Sequence, residues 1–153
     1  MRPMRENDLA ATEAIDREAY DFPWTEAIFR DCMRARYICI LAESGEQRLG
    51  HAVMSMAAGE AHILNLCVRP RFQGSGWGRR ILDHLVETAH QNGVDTMFLE
   101  VRPSNPAALA LYHNAGFNQI GIRQDYYPSH GGCEDALVLA RALTSRLTSS
   151  QGK

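Results

Sequence analysis

The chain has 153 residues, is 45% hydrophobic and carries a formal net charge of −2. That is an ordinary single-domain length with enough apolar residues for a core, and nothing in the global charge suits nucleic acid or an anionic membrane. No apolar run approaches the ~18 residues of a membrane span, the opening MRPMRENDL lacks a signal-peptide core, and Cys32, Cys39, Cys67 and Cys133 show neither a CxxC pair nor zinc-ligand spacing, so free thiols in a cytoplasmic protein are expected.

Residues 2–5 read as a short first strand. Asn7 or Asp8 can cap a helix, and Leu9, Ala10, Ile15 and Ala19 give it an apolar face to about Tyr20. Phe22-Pro23-Trp24-Thr25 interrupts it, because Pro23 disfavours helix at Phe22; Thr25 then caps a second helix to about Arg34. Tyr37 to Glu43 and Leu49 to Ala58 flank the turn Ser44-Gly45-Glu46-Gln47 and predict a hairpin. Ala61 to Val68 extends it into an antiparallel meander. A helix over Gly78–Gln91, stopped by Asn92-Gly93, leads to a strand over Thr96–Val101 that should run parallel to the Ala61 strand through a right-handed crossover. Ser104-Asn105-Pro106 starts a helix that ends at Gly116, and Phe117 to Arg123 and Glu134 to Arg141 are the last strands, with Tyr126-Tyr127-Pro128-Ser129-His130-Gly131-Gly132 as their connector. The Ser/Thr-rich tail from Thr144 is expected to fray.

Chemistry concentrates between Ala61 and Arg80. A strand, a loop with Gly74, Gly76 and Gly78, and an amphipathic helix follow one another. Glycines let backbone N–H groups turn toward a ligand, and a helix start adds unpaired donors and partial positive charge. The combination is an anion site, most often for phosphate. Arg69, Arg71, Arg79 and Arg80 surround it and no acid does. The single lysine, Lys153, removes a P-loop or Schiff-base lysine from consideration. His51, His62, His84, His90, His113 and His130 are scattered and form no ligand set, so no metal is expected.

Gln73-Gly74-Ser75-Gly76-Trp77-Gly78 after a strand resembles the Q/R-x-x-G-x-G/A signature of the GCN5-related N-acetyltransferase (GNAT) family. Phe22-Pro23-Trp24-Thr25, Leu99-Glu100-Val101-Arg102, Asn105, Ala110-Leu111-Tyr112, Gly116-Phe117, Tyr126-Tyr127-Pro128 and Glu134-Asp135-Ala136 resemble the branch of that family that acetylates the N-terminal alanine of a small-subunit ribosomal protein. The resemblance covers nearly the whole chain. It implies a mixed α/β fold: an antiparallel N-terminal meander, a central parallel strand pair that splays to admit acetyl-CoA, and helices on both faces, as one domain over residues 1–143 followed by a flexible tail over 144–153. It also implies that Gly74, Ser75, Gly76, Trp77, Gly78 and Arg79 hold the pyrophosphate of acetyl-CoA, that Leu66, Cys67 and Val68 pair with its pantetheine arm, and that Asn105 belongs to the cofactor-binding set. Gly74 stands where close relatives carry arginine, which leaves Arg71 or Arg79 to supply the side-chain share of phosphate binding.

The implied acceptor is a protein N-terminus rather than nucleic acid or membrane, met by a monomeric cytoplasmic enzyme. An α-amino group has a pKa of about 7.7–8.0 against about 10.4 for lysine, so its attacking neutral form is much easier to reach. Glu100, a carboxylate interrupting the apolar strand FLEV, is the candidate base. Tyr112, seven residues after Asn105 and two turns down one helix face, is the candidate acid for the thiolate leaving group. Cys67 as an acyl-carrying nucleophile is disfavoured, because Cys is commonly buried and no partner His is indicated. Phe22 and Trp24 on one side, and Tyr126 and Tyr127 on the other, are expected as aromatic loops walling the acceptor pocket; the alternative is that they seal the core edge. Three further functions stay open at this point: acetylation of a lysine or small-molecule amine, a non-catalytic acetyl-CoA-binding adaptor, and a dinucleotide-dependent oxidoreductase. The last is weakened by GxGxG spacing in place of GxGxxG.

Overall fold

The computed structural model describes residues 1–143. The expected fraying from Thr144 lies outside the described residues. Seven strands and four α-helices form a mixed α/β fold among those residues. The strands are β1 (Arg2–Pro3), β2 (Ile38–Ser44), β3 (Gln47–Ala57), β4 (Glu60–Val68), β5 (Thr96–Val101), β6 (Asn118–Ser129) and β7 (Gly132–Ala142). The helices are α1 (Leu9–Ala19), α2 (Glu26–Arg34), α3 (Trp77–Gln91) and α4 (Pro106–Asn114).

Local chemistry sets the helix limits. Thr25 accepts the Ile28 N–H at 3.3 Å and starts α2. Asn105 Oδ1 accepts the Ala108 N–H at 3.1 Å, and Pro106 occupies the first turn of α4, where a missing N–H costs nothing.

The chain falls into two compact units, and β4 passes from one into the other. The first comprises Met1–Ser55 and Leu64–Leu85. Its strands lie in the order β1, β2, β3, β4. β2 runs antiparallel to β1, with Leu41 opposite Arg2, and to β3, with Ile38 opposite Met54. Met4, Leu9, Phe29, Cys32, Cys39, Leu41 and Val53 form its core cluster, with Trp24 and Met33 packed against it. Phe29 is wholly inaccessible; burying such a side chain contributes about 1.5–3 kcal/mol. A Cβ at Gly50 on β3 would collide with the carbonyl oxygen of Cys67 on β4, so the two backbones approach more closely than any larger residue allows. Asp8 ties the N-terminus down: Arg2 reaches both its oxygens at 2.9 Å and Arg48 one of them at 2.9 Å. The Arg2 guanidinium holds the Asp8 carboxyl far below the usual carboxylate range, against the opposing effect of burial.

The second unit comprises Met56–Ile63 and the chain from Val86 onward. Its strand order is β4, β5, β7, β6. β4 and β5 are parallel, with Glu60 to Ile63 opposite Thr96 to Leu99. β7 is antiparallel to both β5 and β6. The sequence placed Tyr126-Tyr127-Pro128 in a connector; these residues belong to β6 instead. A bulge between Arg123 and Tyr127, with Asp125 at φ 52°, absorbs the irregular residues, and pairing resumes with Tyr127 opposite Glu134 and Pro128 opposite Cys133. Pro128 is tolerated because β6 is the edge strand of this unit, where no further ladder needs its N–H. Only Ser129 to Gly132 remains for the turn.

Candidate active site

In the first unit the glycine loop is built to leave its backbone exposed. Gly74 and Gly76 have φ of 80° and 89°, and nothing lies within 4 Å of a Cβ at either. The positive φ, rather than crowding by this chain, therefore calls for glycine. The loop is tied back at both ends: Gln73 Nε2 donates to the Val68 carbonyl at 3.0 Å and Ser75 Oγ to the Phe72 carbonyl at 2.5 Å. α3 begins one residue earlier than the sequence suggests, at Trp77, with no acid in its first turn. Its opening N–H groups and the glycine backbone form the arrangement that accepts an anion.

The arginines around this loop are engaged. Arg79 pairs with Asp83 at 2.9 Å, Arg69 with Glu18 at 3.5 Å, Arg71 lies over the Phe72 ring at 4.9 Å and Arg80 over the Trp77 ring at 4.3 Å. The Arg79–Asp83 pair is largely solvated, and a bond of that kind contributes little, so Arg79 can exchange it for a phosphate at small cost. On β4, the Leu66 carbonyl accepts the Tyr20 hydroxyl at 2.6 Å. The strand edge expected to meet a pantetheine arm thus already has two carbonyls, Leu66 and Val68, in use.

Cys67 is fully buried, and burial pushes its thiol well above the ordinary value. A thiol held neutral is no nucleophile. Beside it lies a feature that sequence reading missed. Asp16, at 1% exposure, accepts from His51 Nε2 at 2.8 Å, from Asn65 Nδ2 at 3.2 Å and from the Trp24 backbone N–H at 2.8 Å. Asp16, His51 and Cys67 offer donor atoms within 4.8 Å of one another, the spacing of a metal site. Both Asp16 oxygens are already committed, however, and metal binding would require a thiolate where burial favours the thiol. The cluster acts as a latch: it joins the end of α1 to β3, β4 and the Phe22-Pro23-Trp24 connector. Trp24 itself packs on Phe29, ring centroids 5.2 Å apart, while Phe22 is 40% exposed.

In the second unit, Glu100 sits on β5 with its side chain 8% exposed. Its Oε2 lies 2.5 Å from His62 Nε2 on β4, and its Oε1 3.6 Å from Arg123 Nε on β6. His62 was assigned no partner from sequence. The missed signal was strand parity: His62 stands opposite Phe98, and Phe98 and Glu100 share a face of β5. Tyr112 on α4 is buried, edge-on to Phe117 at 5.8 Å. Burial raises its phenol above the ordinary value, which keeps it protonated. Tyr127 is likewise raised, first by burial and then by the charges of Glu100, Tyr126 and Tyr112. Arg102 fixes Tyr127 from outside: its guanidinium lies over the ring at 4.3 Å, donates to the Pro128 carbonyl at 2.8 Å and pairs with Glu134 at 3.1 Å. Ser104 also donates to Glu134, through its hydroxyl at 2.9 Å and its backbone at 3.0 Å, and these bonds with Arg102 hold the Glu134 carboxyl below its usual range. Tyr126 packs against Tyr127, centroids 4.9 Å apart, and is 48% exposed. Asn105 serves first as the cap of α4. This unit thus holds a shielded carboxylate on β5, a buried phenol on α4 and a packed tyrosine pair on β6.

The sequence model of the acetyltransferase (GNAT) family matches residues 6–117. The chain belongs to that family. Ribosomal protein bS18-alanine N-acetyltransferase of Salmonella typhimurium is 40% identical to it over 137 residues, 90% of this chain and 93% of that one. The crystal structure of the ribosomal-protein-S18-alanine N-acetyltransferase from Escherichia coli superimposes with a TM-score of 0.87 at 37% identity, covering 93% of this chain and 92% of the other. A second Salmonella typhimurium acetyltransferase, solved with its cofactor acetyl-CoA, shares the fold at a TM-score of 0.78 and 21% identity. This GNAT family member is an N-acetyltransferase. The dinucleotide-dependent alternative accordingly falls away.

Proposed function

We propose that this N-acetyltransferase is of the RimI type and transfers the acetyl group of acetyl-CoA directly to the α-amine of a protein N-terminus, that of alanine in a small-subunit ribosomal protein. The observation that carries the acceptor assignment is the 40% identity over 90% of the chain to an enzyme named for that substrate. The residues supply a consistent mechanism. The Gly74–Arg79 backbone receives the pyrophosphate, and Leu66, Cys67 and Val68 meet the pantetheine arm. A backbone N–H of that strand polarises the acetyl oxygen as charge develops on it.

Glu100, acting through water, takes the proton of the α-ammonium; near pH 7 that deprotonation costs about 1 kcal/mol, against roughly 4–5 kcal/mol for lysine. The neutral amine attacks the thioester carbonyl, the C–S bond breaks, and Tyr112 gives its proton to the departing thiolate. Burial raises the Tyr112 phenol, which keeps it protonated at neutral pH and makes it a weaker donor than an ordinary tyrosine. Phe22 and Trp24 in the first unit, and Tyr126 and Tyr127 in the second, are each candidates for acceptor contacts, with Phe22 and Tyr126 the more exposed members.

Steady-state acetylation of a peptide carrying the N-terminal sequence of protein bS18 tests this reading. The α-amine of its alanine should be the acetylated atom by mass spectrometry, and blocking that amine should stop turnover even with lysines present. Robust acetylation of internal lysines in the blocked peptide would replace the proposal with a general amine acetyltransferase.

A further inference from the structure

We propose that His62 is a positioning residue and the second proton acceptor behind Glu100, so that the base of this enzyme is a carboxylate–imidazole relay. This rests on the reading of Glu100 as base. His62 Nε2 lies 2.5 Å from Glu100 Oε2, inside hydrogen-bond reach. Glu100 is shielded, with its side chain 8% exposed, whereas His62 is 34% exposed. A proton arriving at Glu100 therefore has a bonded route to a group that touches water.

Chemistry gives that route a purpose. An ordinary carboxylate lies about 3.5 pKa units below an α-amine, and an ordinary imidazole only about 1.4 below it. A lone carboxylate can accept the ammonium proton only fleetingly; an imidazole behind it retains the proton while the amine attacks. The other groups facing Glu100 reinforce the need. Arg123 Nε, from β6, lies 3.6 Å from Oε1, and its guanidinium is already fully protonated. Tyr127, also on β6, stays a neutral phenol and cannot take a proton. Val138, opposite Glu100 on β7, carries no charge. Among the described residues named here around Glu100, His62 is the one that can accept a proton.

The step balances simply. With His62 as its Nδ1–H tautomer, Glu100 receives one proton from the α-ammonium through water and passes it from Oε2 to the lone pair of His62 Nε2. The imidazolium then sheds its Nδ1 proton to solvent, water-borne return of the Nε2 proton to Nδ1 restores the starting tautomer, and both side chains return to their starting charge. The Phe98 ring, 6.5 Å from the imidazole by centroid, flanks His62 on the same strand pair.

The test is the pH dependence of kcat at saturating acetyl-CoA and peptide, for wild type, His62→Gln, His62→Ala and Glu100→Gln. Gln preserves a hydrogen-bond partner for Glu100 but cannot titrate. The expected wild-type profile has an acidic limb that depends on the imidazole of His62. His62→Gln should lower kcat at pH 7 by about 10-fold or more and move the limb toward the carboxylate range, leaving the KM for acetyl-CoA unchanged. His62→Ala should be rescued by added imidazole, which the exposure of this position admits. An unchanged limb in His62→Gln, or an absence of rescue in folded His62→Ala, would overturn the relay. Glu100→Gln should lose about 10²-fold or more; full activity there would overturn the underlying assignment of Glu100, independently of His62.

Discussion

Replacing Asp16 by Asn changes two atoms in a site where every one is spoken for. Oδ1 accepts from His51 and Asn65, and Oδ2 accepts from the Trp24 N–H. An amide can keep only one acceptor. If its NH2 takes the Oδ2 position, it faces the Trp24 N–H and leaves a backbone donor without a partner. If it takes the Oδ1 position, it faces the Asn65 NH2, and His51 must shift its proton to Nδ1, a buried atom with no partner. The first arrangement is the cheaper. An unmet buried donor costs about 1–3 kcal/mol, and exchanging an ionised acceptor for a neutral one at the remaining bonds adds roughly another 1 kcal/mol. The sum is about 2–4 kcal/mol, which for a chain of this size lowers Tm by about 5–15 °C. Calorimetry measures the loss. Fluorescence in a Trp77→Phe background isolates Trp24, the other of the two tryptophans, and should report a looser environment before global unfolding. A Tm within ~2 °C of wild type, with unaltered Trp24 emission, would refute the idea that Asp16 holds the connector.

Tyr112→Phe should leave the fold and the acetyl-CoA KM intact while lowering kcat by about 10²–10⁴-fold, read by steady-state kinetics; an unchanged kcat would assign thiolate protonation to solvent. Gly76→Val should abolish acetyl-CoA binding in calorimetry, since a β-branched residue at φ 89° strains the loop and fills the open space above it. The Asp8 carboxyl, held far below its unfolded value chiefly by Arg2, contributes stability that is fully present above about pH 4 and is lost as pH falls through its folded value. Asp8→Asn should therefore be less stable than wild type at pH 7, with the gap closing in acid, as denaturant midpoints across the range would show.

Local signals carried most of the fold. Thr25, Asn105-Pro106 and Asn92-Gly93 marked helix ends because caps act within a few residues, and Thr96–Val101 was bounded to the residue by its alternation. β6 was misread because Pro, Ser, His and Gly after Tyr126-Tyr127 look like a turn; only the bulge at Asp125 lets the strand resume, and a bulge depends on a partner strand. Glu100 and Tyr112 stood out as a lone acid in an apolar strand and a phenol spaced from a cap. His62, Asp16 and Arg102 did not. Their partners lie 38, 35 and 32 residues away, and a polar side chain gives no hint of what it will meet across a sheet.

The division of β4 between two compact units bears on how the chain is made. The first unit takes Met1–Ser55 and Leu64–Leu85, so the segment Met56–Ile63 is synthesised before its unit has any other member. At about 5–20 residues per second, the ribosome needs a few seconds to deliver β5 and longer for β7. During that interval Ala61 and Ile63, each at most 4% exposed in the finished structure, have no second-unit strand to cover them. Cutting the gene at any single point cannot yield either unit whole.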